Sequence, residues 1–497
     1  MRKNLISKVV ASVLASAMVL GLAACGSNSS KPDANASTSA SNTASVSASA
    51  SEPASEPVEP YTVKTGADGQ PLNFNGMQVT IRNWWSPSDG SESDPTSEYD
   101  EAVLEYHTWL QEKYNFTLKT VGMGDWGSAP DDFVKYVQTN GDENNYIFVE
   151  RNAAPMLQAF LTGMCADFKA LGVIDFSEDK YQINRAHEMN SLGDHIYGIA
   201  AGYVQPKHAL FFNKQVLADV GITADMLYDW QKNGEWTWDK FDEVCAKVQR
   251  DTDGDGADDI FGLTTNEGAE YEAWIESDGG AIIKKDADGK FRLGLEDADS
   301  MKAFEKYVEL MGKYDNHDPE GVQWDYYKEE FLSGKVAFLG EEYYAGTAGA
   351  YLDVDDRSFD IGLLMYPKGP DVEFNRSVFN DNFYCIPGCY DEQKQKDLAT
   401  ILDLWLTPPN GYEDYNGQIA NARAGIFDER AISETVVFMS DPKNGYHRYR
   451  VLIPTICENN TAAGDLGWPN WYTTPSSAIE GVKESWQTYI DEANNIR

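Results

Sequence analysis

The stretch DTDGDGADD, Asp251 to Asp259, gathers several carboxylates into one short turn. Asp251, Asp253, Asp255 and Asp259 stand at positions one, three, five and nine of a calcium loop. Gly256, at position six, permits the sharp turn that lets alternating oxygens surround a hard cation. Gly262 stands at position twelve, where an EF-hand carries a bidentate Glu. The expectation is therefore a single-loop structural Ca2+, with a solvated acidic turn as the alternative. A second group of residues suits sugars: Trp and Tyr at turn-like positions. Trp84 and Trp85 end a predicted strand, Trp126 lies in MGDWGSAP, Tyr343 and Tyr344 follow KVAFLG, and Trp468 and Trp471 lie in GWPNWYTTP. Ring faces stack on the C–H patches of sugars while polar neighbours bind hydroxyls. Glu150, Arg151, Glu341 and Asn382 are the candidate polar neighbours, and Tyr203 joins the set. Asp125, beside Trp126, is either a ligand contact or solvated surface. Any single ring can instead belong to the core.

Signatures of covalent or metal-assisted catalysis are missing from the sequence. There is no Gly-x-Ser-x-Gly elbow, no phosphate-binding Gly-rich loop followed by Lys, and no His-Glu-x-x-His. The six histidines show no ligand spacing. The chain is expected not to be an enzyme. Paired carboxylates are plentiful in so acidic a chain, so a surface-anchored hydrolase using an Asp/Glu pair is the alternative.

The elements that must position these residues follow from periodicity. MQVTIRNWW alternates apolar and polar residues and is read as a strand, as are FTLKTVG and NNYIFVER. Val103, Tyr106 and Leu110 share a helix face, DDFVKYVQ reads as a helix, and Leu157, Phe160, Leu161 and Met164 mark another. Repeated alternation of strand and helix predicts an α/β lobe with a mainly parallel sheet. Further on, Thr237 is placed to cap a helix whose inner face is Phe241, Val244, Cys245 and Val248. Phe304, Tyr307, Val308 and Met311 form one more face, and Leu398, Ile401, Leu402 and Trp405 another, stopped by Pro408-Pro409. Tyr412 to Asn421 reads as a polar-aromatic loop or short helix.

Composition sets the class. The formal charge is −40, and the loss of Arg2, Lys3 and Lys8 with an N-terminal signal makes the mature chain more acidic still. Such a surface repels nucleic acid and anionic lipid, which removes both as partners. Arg2, Lys3 and Lys8 precede an uncharged run, Val9 to Ala24, too short to span a bilayer comfortably, so residues 1–24 read as a signal peptide. The run ends in Leu22-Ala23-Ala24-Cys25, which resembles the bacterial lipobox. That resemblance implies diacylation of the Cys25 thiol, and two acyl chains suffice for stable anchoring. Residues 25–60 are rich in Ser, Ala and Pro and hold almost nothing apolar larger than Ala, which predicts a flexible linker. Roughly 435 residues remain, enough for two lobes. Cys165, Cys245, Cys385, Cys389 and Cys457 are an odd number; Cys385 and Cys389 are spaced to pair, burial is as good a reading, and no disulfide is assigned.

Four stretches, in order, resemble the extracellular solute-binding proteins of bacterial ABC importers, the maltose-binding-like family. They are IYGIAAGYVQPKHALFFNKQVLADVGI (196–222), EWTWDKFDEVCAKV (235–248), EEFLSGKVAFLGEEYYAG (329–346) and IGLLMYPKGP (361–370). The resemblance implies a two-lobed periplasmic-binding-protein-like α/β fold with an interlobe hinge and a ligand cleft. It places lobe 1 at 61–200, lobe 2 at 201–370, a return to lobe 1 at 371–452 and a C-terminal lobe 2 segment at 453–497. It also implies that the first strand's end, the turn after Gly-Lys-x-Ala and the C-terminal aromatics line the cleft. The partners implied are an oligosaccharide or other small solute and the transmembrane subunits of an ABC permease. The expected protein is a monomer on the outer face of the cell membrane, held there by its lipid alone.

Overall fold

The computed structural model describes residues 59–91, 94–315, 323, 325–355, 357–379, 382–467 and 473–495. The expected signal peptide, Cys25 and the linker up to residue 58 lie outside the described residues, as do Trp468 and Trp471. Among the described residues no helix is long and apolar enough to cross a membrane.

The chain opens as an alternating α/β unit. Strand β1 (Met77–Asn83) turns Val79, Ile81 and Asn83 inward, the period of two expected of a half-covered strand. Helix α1 (Glu98–Tyr114) starts on Ser97, whose side chain accepts from the Asp100 N–H. Then come β2 (Phe116–Gly122), α2 (Ala129–Gln138), β3 (Asn145–Arg151) and α3 (Ala154–Leu161). The second unit holds β4 (His208–Asn213), α4 (Trp238–Val248), β5 (Phe261–Thr265), α5 (Glu267–Glu276), α6 (Ala298–Tyr314), β6 (Val336–Glu342) and β7 (Ile361–Leu364). The chain continues through β8 (Ser377–Val378), β9 (Asn382–Cys385), α7 (Glu392–Trp405), β10 (Gly445–Tyr446) and α8 (Pro475–Asn495).

Two four-stranded sheets result. The first has the order β9-β3-β1-β2, with β1 parallel to both β2 and β3 and β9 antiparallel on β3. The second has the order β7-β4-β6-β5, with β4 antiparallel to β6 and β7 and β5 parallel to β6. Every residue of β4 is buried, so this sheet is covered on both faces and its strands read as apolar runs rather than alternations. Thr237 caps α4, its Oγ1 accepting from the Lys240 N–H at 3.3 Å, as its position predicts. Phe241, Val244, Cys245 and Val248 are all buried beneath that helix. Each large apolar side chain so covered contributes roughly 1.5–3 kcal/mol.

Each sheet has its own core. Val79, Ile81, Leu110, Leu118 and Ile147 pack with Ile199, Ile386, Leu398 and Ile401 around the first sheet. The larger core joins β4, β6 and β7 to α4, α6 and α8, for example through Phe211, Phe338, Phe241, Phe304 and Trp486. Here the boundaries differ from the sequence reading. Of the 371–452 return, Tyr384 of β9, Ile386, Tyr390 and the inner face of α7 join the first core, whereas Ala422, Ile432, Val436, Met439 and Leu452 pack in the larger one. These residues come from several short helical segments, and the sheet that each covers is decided by packing, not by local pattern. All five described cysteines are free thiols, Cys389 half-buried and the other four buried.

Three crossing segments lie side by side between the units. Lys207 N donates to Val378 O at 2.7 Å, and Phe379 N donates to Tyr446 O at 3.2 Å. On the first sheet's side, Ile199 and Tyr384 exchange both backbone hydrogen bonds.

Candidate functional site

In open α/β sheets, ligands sit outside the carboxyl ends of the parallel strands, where the chain turns away to helices. On the first sheet, that edge carries Asn83, Gly122 and Arg151, and Asn382 joins it because β9 pairs it directly with Arg151. Asn83 ends β1 with an Asx turn: its Oδ1 accepts the N–H groups of Trp85 and Ser86, and its Nδ2 donates to Ser86 Oγ at 2.9 Å. The turn packs so closely on β2 that a Cβ on Gly122 would lie 1.9 Å from Ser86 O. The result fixes Trp84 and Trp85 at the edge, in edge contact with ring centroids 5.0 Å apart. Trp84 leans on the first core, while Trp85 stays 59% exposed.

The turn after β2 presents Trp126, 51% exposed. Asp125 fastens this turn, its Oδ1 accepting from the Ser128 N–H at 2.9 Å, so its carboxylate is engaged ahead of α2. Arg151 locks the ring from the neighbouring strand: its Nε donates to Trp126 O at 3.0 Å and its guanidinium lies 3.8 Å from the ring centroid. Tyr99, in the first turn of α1, stacks at 3.7 Å on Tyr415, with Tyr412 beside them. These three tyrosines were not singled out as site residues in the sequence. The polar-aromatic composition of Tyr412 to Asn421 was the available signal.

Glu150 differs from expectation. It is only 1% exposed and lies beside a cavity of about 10 Å3, lined also by Arg82, Asn83, Trp84 and Met123, room for about one water. Burial pushes its carboxyl up to about 8, against the pull of Arg151 and Arg82. At neutral pH it is therefore mostly protonated beneath the edge.

The second sheet's corresponding edge is polar but covered. Glu341, at the end of β6, is 1% exposed. It accepts from Asn266 Nδ2 at 3.3 Å, Tyr351 OH at 3.2 Å and the Glu342 N–H at 2.7 Å. Burial, then the nearby Glu270 and Glu342, raise it to about 7. Tyr343 differs from expectation too: it is fully buried, stacked on Phe427 at 5.2 Å in the larger core. Its neighbour Tyr344 is 46% exposed and is the ring this edge presents. Tyr203 lies half-buried in the crossing segment, its carbonyl accepting from Gln418 Nε2 at 3.2 Å.

Behind this edge lies a buried ionic cluster the sequence reading did not find. His208 Nδ1 and Glu270 Oε1 are 2.7 Å apart, and Tyr366 OH donates to Glu270. Glu272 accepts from Arg448 at 2.7 Å and from Arg450 at 2.9 Å. Burial would raise Glu272, but Arg450 and Arg448 overcome it and bring the carboxyl down to about 2. Lys207 pairs with Glu342 at 3.2 Å. The sequence held no clear signal for it: with four glutamates in ten residues α5 reads as a solvated helix, and only the burial of Glu270, Glu272 and Glu276 in the fold requires partners.

The acidic loop brings together Asp251, Asp253 and Asp259, whose carboxylate oxygens lie within 4.8 Å of one another. Asp255 is not part of that group; its Oδ1 accepts from the Ala257 N–H at 2.8 Å. Asp251 also accepts backbone N–H groups from Gly254 and Gly256. Three carboxylates at this spacing fit the oxygen chemistry of Ca2+.

With this geometry described, likeness to known proteins can be stated. The family model described as bacterial extracellular solute-binding protein matches residues 105–421. The chain belongs to that family. It is a family of binding proteins, not enzymes. Among solved structures, UgpB of Mycobacterium tuberculosis, in complex with glycerophosphocholine, is similar at 15% identity over 84% of this chain and 98% of its own, TM-score 0.55. An ABC transporter solute-binding protein of Thermotoga lettingae, bound with α-D-tagatose, is similar at 16% identity over 84% and 100%, TM-score 0.54. An ABC substrate-binding protein of Listeria monocytogenes, in complex with cycloalternan, is similar at 14% identity over 83% and 98%, TM-score 0.53. These likenesses show the fold, the two-lobed periplasmic-binding-protein architecture. No curated protein matches the chain.

Proposed function

We propose that this solute-binding protein is the lipid-anchored receptor of an ABC importer. In this reading it encloses a carbohydrate, an oligosaccharide in the first instance, between its lobes and hands it unchanged to a membrane permease. The observation that carries the reading is the convergence of Trp85 and Trp126, with Arg151, on the carboxyl edge of the first sheet, while Tyr344 stands at the matching edge of the second. Exposed indole faces beside hydrogen-bonding groups suit sugar rings. The structural relatives bind cycloalternan, tagatose and glycerophosphocholine, so the fold accepts more than one class of solute. The exposed rings are what favour a sugar here. Closure is driven only by the ligand's preference for the closed form.

Calorimetry and tryptophan fluorescence of the mature protein against a panel of oligosaccharides test the reading. Saturable binding by at least one glycan is expected, and a panel without any saturable ligand rejects it. Anchoring rests on Cys25 and the lipobox resemblance. Cys25→Ala is expected to release the protein into the medium or leave it unprocessed; mature protein retained on the membrane contradicts the anchor. The same reading places a structural Ca2+ on Asp251, Asp253 and Asp259.

A further inference from the structure

The second lobe holds a cavity of about 290 Å3, close to the lower bound for small-molecule pockets. The hairpin of Ile283–Lys285 and Phe291–Leu293, the later turns of α5 and the segment from Tyr446 to Arg450 surround it. In a chain of charge −40, its walls are cationic: Lys284, Lys285, Arg292, Arg376, Arg448 and Arg450 line it, against Glu272, Glu276 and Asp286.

Most of these cations already have carboxylate partners. Arg448 and Arg450 share Glu272. Arg292 is held by Asp286 and Asp297, and Lys284 by Asp297 and Asp299. Arg376 is different. Among the described residues it makes no hydrogen bond and no ion pair. Its guanidinium lies over the face of Tyr446, 4.4 Å from the centroid, an arrangement that holds the plane still and leaves the N–H fork at its rim available. Glu276, at the end of α5, accepts from Tyr446 OH and is pushed toward its neutral form by burial and by Glu272. Lys285 adds a second positive charge, its ammonium 5.7 Å from the Tyr449 ring centroid. The wall is thus positive around Arg376.

We propose that this cavity is a second binding site, separate from the cleft, for a small solute bearing a phosphate or carboxylate group. Arg376 grips the anion with its planar fork and Lys285 supplies the flanking charge. Concave walls concentrate the field of these cations, and a guanidinium fork matches both oxyanions bidentately. The site is not the sheet edge: Glu276 closes the far end of a ten-residue helix whose near end starts at that edge, about 14 Å away at 1.5 Å per residue. It does touch the crossing strands, since Arg376 directly precedes β8 and Tyr446 belongs to β10.

The mature full-length protein is titrated calorimetrically with inorganic phosphate and with citrate, each at constant ionic strength held by chloride. Saturable binding of at least one is expected, and which one saturates identifies the oxyanion preferred. Arg376→Gln is expected to weaken it by about tenfold, the worth of one charge-assisted fork, with Arg376→Lys intermediate and Lys285→Gln smaller. Trp126→Ala is expected to leave it unchanged, which separates this site from the cleft whatever solute the cleft takes. Neither anion saturating below about 20 mM, a threshold that bounds affinity near 2–3 kcal/mol, overturns the proposal. So does unchanged affinity in both Arg376→Gln and Lys285→Gln, or loss of anion binding in Trp126→Ala.

Discussion

The two sheet edges are built by opposite means. On the first, short turns fastened by Asn83, Asp125 and Arg151 hold Trp85 and Trp126 out in solvent. On the second, Glu341, Glu270 and Glu272 are withdrawn beneath the surface and spend their hydrogen bonds on neighbouring side chains, and Tyr343 is buried with them, leaving Tyr344 as the exposed ring. The contrast separates two jobs that residue type alone confuses. Rings on the first edge have faces to offer a ligand, whereas acids on the second stabilise the frame that positions Tyr344. A variant on the first edge should therefore cost affinity and spare stability, and one behind the second edge should do the reverse.

The largest effect expected is from Arg450→Ala. It strips Glu272 of a buried partner, and breaking a buried ion pair on one side costs about 3–5 kcal/mol. Urea unfolding measures it; a loss below about 1 kcal/mol, the scale of a surface pair, would show that the cluster is not structural. Next, Trp126→Ala is expected to weaken glycan binding by about 10- to 100-fold while leaving the melting temperature within error, since a half-exposed ring adds little to the core. A fall in stability comparable to that of Arg450→Ala would erase the distinction.

A smaller effect concerns pH. Glu150 and Glu341 are raised to about 8 and about 7, above the ordinary carboxyl value they have when unfolded. The folded state then keeps protons the unfolded state has released, so stability declines as pH rises from about 4.5 and levels off near 8. Glu150→Gln is expected to make that decline shallower and end it nearer 7. Melting curves between pH 5 and 9 check it, and an unaltered slope contradicts the burial argument. The smallest effect is that of Ca2+, which is expected to raise the melting temperature by about 1–3 °C through the exposed acidic loop. Asp253→Asn should remove the rise, and both sheet edges should be indifferent to it.

Much of this was legible in the residues. The alternation of Val79 and Ile81 marked β1, and the face of Phe241, Val244, Cys245 and Val248 behind Thr237 marked α4. Trp85 stood out because it ends the predicted strand, and Trp126 because it lies between elements. Tyr343 and Tyr344 show where such reading ends. The strand before them is buried on both faces, so alternation carries no sign of which ring turns inward. Glu272 and Arg450 are 178 residues apart, and their partnership is a property of packing rather than of any local pattern. The same holds for Ala422 to Leu452, where the sequence reading assigned no element and the larger core hosts the side chains.

The antiparallel strand β9 has a consequence for synthesis. It completes the first sheet, and Tyr390, just after it, hydrogen-bonds Tyr146, 244 residues earlier. A ribosome adding about 5–20 residues per second needs about 12–50 seconds to cover that interval. Throughout that time β3 waits with an open flank, its backbone groups available to any stray chain. The smaller half of the molecule, though begun first, is therefore finished late.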